Sequence, residues 1–273
     1  MDDDSTLIDH YGGGGLLAAI EAGLERLGKS PDTVTVDDLG PVDEFHVGGR
    51  PATVELCRRL ELAADMDLLD VGCGIGGTAR FVASTTGCRV TGLDLNPAFV
   101  EVARTLTAWT RLDDRVRFEA GSATSMPFDT DSFDRAVVLH VGMNIADKGA
   151  LFAEIARVLR AGGRLGVYDL VRRGDGDIRF PVPWASEATQ SDVADQATYE
   201  THLEASGFDV EVRDRREFAL DFFARQQAAS GTGPPPLGLP LIVGPDAPTK
   251  FSNLRTAIED GVLAPVEFIG TRR

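Results

Sequence analysis

The 273-residue chain is 43% hydrophobic and 26% charged, enough apolar content for one large core with an appendage and too much for a disordered chain. Its formal net charge of −16 argues against nucleic acid, which calls for a clustered basic surface. No run approaches the roughly eighteen apolar residues of a membrane helix, and "MDDDSTLIDHYGGGG" lacks a signal peptide's basic and apolar regions, so a cytoplasmic protein is expected. Cys57, Cys73 and Cys88 form no C-x-x-C pair and read as reduced, half-buried small residues, with no metal site.

In chain order, "GLLAAIEAGLERLGK" has apolar positions at helical spacing and closes on Gly28. A second helix is expected from about Pro51 to Leu62, after "DEFHVGGR". From residue 50 to 172 short β-rich runs alternate with helical stretches, the pattern of a parallel sheet covered by helices. Strands are expected at "MDLLDVG", "CRVTGLDL", "RVRFEAG", "FDRAVVLH" and "RLGVYDL". The helices between them are Gly77–Thr86, Pro97–Thr110 and Lys148–Arg160. Asn96 is the cap of the second, with Pro97 in its first turn, and "LRAGGR" is expected to end the third at Gly162-Gly163. Farther on, "ATYETHLEASG" reads as a helix, "FDVEVRDR" as a strand, "REFALDFFARQQAAS" and "FSNLRTAIEDG" as helices, and "APVEFIG" as the last strand. About 45 residues separate the last two strands, far more than a hairpin needs, so this insertion is a lid over a pocket or a dimer contact. The expected organisation is a helical cap (1–62), a cofactor-binding core (63–172), and the rest of the sheet (173–273) with a helical insertion at about 216–262.

The stretch "LLDVGCGIGGTAR" fits two patterns. Gly72, Gly74 and Gly77 make G-x-G-x-x-G, the turn that holds a dinucleotide; Asp70, Gly72, Gly74 and Gly76 make D-x-G-x-G-x-G, which suits an adenosyl cofactor without phosphate. Asp94 ends the second strand, 22 residues after Gly72, where a carboxylate accepts hydrogen bonds from a ribose diol in either case. Three features favour the methyl donor. A carboxylate at Asp70 repels a pyrophosphate but suits the ammonium and sulfonium of S-adenosylmethionine. The small Ser122 and Ala123 in "GSATSMPFDTDSFD" leave room for a flat adenine. The Tyr-x-x-x-Lys dyad of short-chain dehydrogenases is absent. An NAD(P)-dependent oxidoreductase and a non-catalytic adenosyl-binding protein stay as alternatives.

The motifs "LLDVGCGIGG", "VTGLDLN", "GSATSMPFDTDSFD" and "EIARVLRAGGRLGVYDL" resemble, in order and spacing, those of class I S-adenosylmethionine-dependent methyltransferases. The similarity is greatest to the small-molecule group that includes ubiquinone/menaquinone C-methyltransferase-like and sarcosine/dimethylglycine N-methyltransferase-like enzymes. It implies an α/β, Rossmann-like, seven-stranded, mostly parallel sheet flanked by helices, with an antiparallel last strand and helical cover segments. It implies methyl transfer to an N, O or C atom of a small molecule. It also implies that Asp70, Gly72 and Gly74 surround the methionyl end, that Asp94 meets the ribose and that Leu95 meets the adenine face; Gly76, Asn96, Ser122 and Ala123 complete the expected cofactor-binding set. The family often has Asp where this chain has Ser122.

For the chemistry, His140 ends the fourth strand, where ligands of open parallel sheets bind. It is a base, a substrate partner, a contact to the methionyl group, or a structural histidine. Tyr11 is a candidate to close over the cofactor. His46 and Arg50 in "DEFHVGGR", Met143 and Asn144 beyond His140, and Trp184 in "PVPWAS" are candidate acceptor contacts. Phe218, Phe222 and Phe223 lie at helical spacing and read as core or lid packing. "LHVGMN" lacks the Asn/Asp-Pro-Pro-aromatic motif of DNA amino-methyltransferases.

Overall fold

The computed structural model describes residues 15–229 and 235–273. Tyr11 therefore lies outside the described residues. The strands are β1 (Asp67–Val71), β2 (Arg89–Asp94), β3 (Val116–Ala120), β4 (Phe133–Leu139), β5 (Leu159–Arg172), β6 (Phe208–Asp214) and β7 (Leu263–Arg272). They form one sheet in the order β3-β2-β1-β4-β5-β7-β6. β1 to β5 run parallel, and β7 lies antiparallel between β5 and β6. β1 pairs with both β2 and β4, so the strand order reverses there and opens a crevice beyond the carboxyl ends of these strands.

The helices are α1 (Leu16–Arg26), α2 (Val36–Asp43), α3 (Gly49–Arg59), α4 (Gly77–Thr86), α5 (Pro97–Trp109), α6 (Lys148–Val158), α7 (Gln196–Ala205), α8 (Arg216–Ala229), α9 (Pro240–Val243) and α10 (Ala247–Glu259). Side chains alternate across the buried strands and feed two cores. Leu69, Val71 and Val138 pack with Phe152 and Ile155 of α6 and Tyr199 and Leu203 of α7. Leu68 and Val90 pack on the other face with Leu56 of α3, Val82 of α4 and Val100 of α5. A third cluster joins Ile20 and Leu24 of α1 and Leu39 and Val42 of α2 to Ile75, Phe99 and Leu106, with Leu237 and Ile242 from the insertion.

Several boundaries differ from the sequence reading, and one helix was absent from it. α6 stops at Val158 rather than Arg160, and "LRAGGR" continues as strand. There Leu159 pairs with Phe133 and Arg164 with Arg135, an irregularity that Gly162 accommodates at φ +73°. The second helix begins at Gly49, two residues before Pro51. α2 was unread, because Gly40-Pro41 looks like a break; a capping box between Thr35 and Asp38 starts it, and burial of Leu39 and Val42 holds it.

Candidate cofactor and acceptor cavities

At the end of β1 the chain turns sharply. Gly72 has φ +70°, and a Cβ there would stand 2.4 Å from Cγ2 of Val141, so only glycine fits. Gly74 has φ +54° and nothing within 4 Å of its missing Cβ, so its backbone is open to close approach. Its amide donates to Asp94 Oδ2 at 2.7 Å, and the Asn96 amide donates to Oδ1 at 2.9 Å. Both carboxylate oxygens are thereby fixed and each keeps accepting capacity. Asn96 also caps α5, accepting from the Ala98 amide at 3.0 Å.

A cavity of about 330 Å³ occupies this end of the sheet. Asp70, Gly72, Gly74, Asp94, Leu95, Asn96, Ser122, Ala123 and His140 all line it. Gly76 is not among its lining residues; it caps α4 against the Phe118 ring. Ser122 Oγ lies 2.9 Å from Thr124 Oγ1. Asp70 is 2% exposed and its Oδ2 is buried without a partner. Burial, reinforced by the nearby Asp94 charge, pushes its carboxyl up to about 7. Burial also raises Asp94, against the two amides that favour its charged form.

A second cavity, of about 890 Å³, shares Phe45, His46 and His140 with the first. His46, Arg50, Met143 and Trp184 line it, whereas Asn144 lines the smaller one, so the pocket expected to hold both Met143 and Asn144 is divided. The phenylalanine stripe is divided too: Phe222 and Phe223 line the larger cavity, and Phe218 packs against the second core. Trp184 is fixed by donating from Nε1 to Ser191 Oγ at 2.9 Å.

The shared wall is built on a chain of polar contacts. Arg50 Nε lies 2.5 Å from Glu44 Oε1, with the guanidinium 4.1 Å above the Phe81 ring. Thr53 Oγ1 donates to Glu44 Oε2 at 2.7 Å and lies 3.0 Å from His46 Nε2. That nitrogen is also 3.2 Å from the Gly49 carbonyl, which assigns the His46 proton to Nε2. Burial drives the His46 imidazole down to about 4. The His140 ring stacks on Tyr168 with centroids 5.4 Å apart and meets the His46 ring edge-on at 6.0 Å. His140 adopts φ +54°, rare for a residue with a Cβ, while its amide donates to the Tyr168 carbonyl at 2.9 Å. Its Nε2 is buried without a partner. Burial, then His46, holds its imidazole well below the ordinary range, so both histidines are neutral at pH 7.

Several site residues escaped the sequence. Asp43 lines the smaller cavity and pairs with Arg80, whose Nη1 also donates to the Ile75 carbonyl at 2.7 Å. Asp169 accepts from the Gly142 amide at 2.7 Å and from the Tyr199 hydroxyl at 2.9 Å, setting the turn after β4. Lys148 ties the same turn down by donating to the Ile145 and Asp192 carbonyls. None of these pairings has a local spacing that marks it, although the capping box before Asp43 was visible as Thr-x-x-Asp.

Residues 69–167 match the family described as a methyltransferase domain. A methyltransferase domain thus occupies these residues. This methyltransferase domain takes in Asp70, Asp94, Ser122 and His140 but not His46, Trp184 or the insertion. Methyltransferase GfsG of Streptomyces halstedii is 36% identical over 162 residues, 59% of this chain and 56% of that protein. The chain thus spans little more than half the length of that relative. Geranyl diphosphate C-methyltransferase from Streptomyces coelicolor A3(2), solved with S-adenosyl-L-homocysteine, superposes at a TM-score of 0.73 and 20% identity, covering 100% of this chain and 99% of that one. The [4+2]-cyclase SpnF superposes at 0.65 and 23% identity, covering 95% and 94%. The two structures show the fold, a Rossmann-like seven-stranded mixed sheet. The family uses S-adenosylmethionine, and nothing in these likenesses supports an oxidoreductase. Among the described residues no helix is long and apolar enough to cross a membrane.

Proposed function

We propose that the chain transfers the methyl group of S-adenosylmethionine to a small-molecule acceptor. The observation that carries this reading is the placement of Asp70 and Asp94 on one cavity, at the ends of adjacent strands. A buried carboxylate with an unpartnered oxygen is costly unless a cation compensates it, and the methionyl ammonium and sulfonium supply that charge. Asp94, held by two amides, presents its remaining lone pairs to a ribose diol. In this reading Gly72 and Gly74 admit the methionyl chain, Leu95 and Asn96 flank the ribose and adenine, and Ser122 and Ala123 leave the adenine its space. Gly76 acts through the start of α4.

Bound S-adenosylmethionine supplies an activated methyl, whose bond to sulfur breaks as the bond to the acceptor forms. The protein's work is alignment and exclusion of water. His46, Arg50, Met143 and Trp184 hold the acceptor, with Asn144 on the cofactor side. His140 stands where the cavities meet; as a neutral imidazole it accepts a hydrogen bond from the acceptor and then its proton, which becomes strongly acidic once the methyl arrives. The cap (1–62) and the insertion (about 216–262) serve as substrate cover. The reading extends to a cytoplasmic protein without a nucleic-acid partner, supported by the net charge of −16, and to a homodimer, which sedimentation would test.

Calorimetry with S-adenosylmethionine, S-adenosylhomocysteine and NAD⁺ tests the cofactor, with binding of the first two alone expected. Failure of both to bind overturns the proposal. Because a [4+2]-cyclase shares this fold, a reaction other than methyl transfer is the second reading. Release of S-adenosylhomocysteine during turnover of an acceptor separates the two.

A further inference from the structure

We infer that the acceptor is an uncharged, mainly apolar molecule of drug size or larger, with one polar group turned toward the His46–His140 wall. The word acceptor rests on the methyl-transfer reading; the chemistry of the larger cavity stands without it. At about 890 Å³ this space lies in the upper range of small-molecule pockets. Its wall is apolar over most of its extent, with Met143, Trp184, Phe222, Phe223 and Leu254 among the lining side chains.

The charged groups decide the class. Two cations line the cavity, and each has its charge balanced by a carboxylate. Arg50 is paired through Nε to Glu44 and covers Phe81; its Nη1 and Nη2 have no hydrogen-bond partner but are buried, with no surface turned to the cavity. Arg255 Nε lies 2.6 Å from Glu259 Oε1, and Nη2 donates to Gln227 Oε1 at 3.1 Å. The remaining lining charge, Asp37, is an exposed carboxylate that repels anions. A phosphate or carboxylate would leave water for a wall whose two described cations are each already balanced by a carboxylate, and its desolvation would go uncompensated. At the opposite end from bulk apolar contact, the two histidines are neutral donors and acceptors, suited to a hydroxyl, enol or carbonyl.

The test uses the full chain and three probes of equal tail length: 1-decanol, decanoate and decyl phosphate. Binding is followed by tryptophan fluorescence, since Trp184 lines the cavity, with and without saturating S-adenosylhomocysteine. Decanol is expected to bind at least about tenfold more tightly than either anion. Leu254→Arg, which places a charge in the apolar wall, is expected to weaken decanol by about tenfold or more while the affinity for S-adenosylhomocysteine holds. Phe222→Asp, at a half-buried position, repeats the test should Leu254→Arg fail to fold. Equal or tighter binding of decanoate or decyl phosphate overturns the inference, as does decanol binding that is absent or indifferent to both variants. Loss of S-adenosylhomocysteine binding alone strikes the methyl-transfer reading and leaves the probe comparison to judge the cavity.

Discussion

Asp43 and Arg80 form an ion pair with no solvent exposure, Arg80 Nη2 standing 2.5 Å from Asp43 Oδ1 across 37 residues of sequence. Asp43 closes α2 in the cap, and Arg80 follows the glycine turn in α4. The pair therefore fastens α2 to α4 beside the smaller cavity. Removing one partner leaves a buried charge, so Arg80→Met should cost about 3–5 kcal/mol in urea unfolding. The double variant with Asp43→Asn should recover part of that loss. A loss below about 1 kcal/mol for Arg80→Met would mean that the pair is dispensable.

In the proposed site, the raised Asp70 carboxyl would link cofactor binding to protons. Its value of about 7 lies above the ordinary 3.8, so the folded protein holds a proton there that the unfolded chain releases from about pH 4 upward. Charging this group when buried costs stability that grows as pH rises from about 4 through 7. Asp70→Asn should therefore raise the Tm of the ligand-free protein at pH 8, with the gap narrowing toward pH 4. A cationic cofactor favours the ionised form, so wild-type affinity should climb through pH 7 with release of up to one proton. Calorimetry in buffers of different ionisation heat checks this, and zero proton release at pH 6.5 contradicts it.

Asp94→Ala removes the acceptor of the Gly74 and Asn96 amides together with the proposed diol contact. Affinity for S-adenosylmethionine should fall about 10- to 100-fold, the cost of hydrogen bonds to a charged group. The far-ultraviolet dichroism should stay that of the wild type, because Asp94 sits at the strand end and outside the cores. Unchanged affinity would remove Asp94 from the site.

His140→Ala should lower kcat about a hundredfold with an acceptor that must lose a proton. The imidazole is held well below its ordinary range, so it is already neutral at pH 6.5 and above. The rate it supports should be flat from there upward and decline only in acid. A wild-type inflection near pH 7 that survives in His140→Ala belongs to another group, Asp70 being the candidate named by its own titration.

Strand positions were legible because period-two apolar runs and glycine turns are local signals, and β1, β2 and β4 fall where the residues suggested. The positions of Asp70, Asp94 and Ser122 were legible for the same reason: the first two lie in the last two residues of β1 and β2, and Ser122 comes two residues after β3. α2 was hidden, since Gly40-Pro41 argues locally against a helix that tertiary burial of Leu39 and Val42 maintains. The separation of Met143 from Asn144 was equally hidden, because adjacent residues in a short turn face different cavities only once Asp169 and Lys148 have fixed it. Arg80 stood in the quoted motif, but its partner lay across the fold.

Phe45, His46 and His140 belong to both cavities, so whatever occupies one rests against the lining of the other. Binding energies at such a boundary are reciprocal: if the occupant of the first tightens the second by some factor, the second tightens the first by the same factor. Product inhibition by S-adenosylhomocysteine would then depend on which acceptor is present, and the pace of turnover would be set by how readily the two products let go of each other.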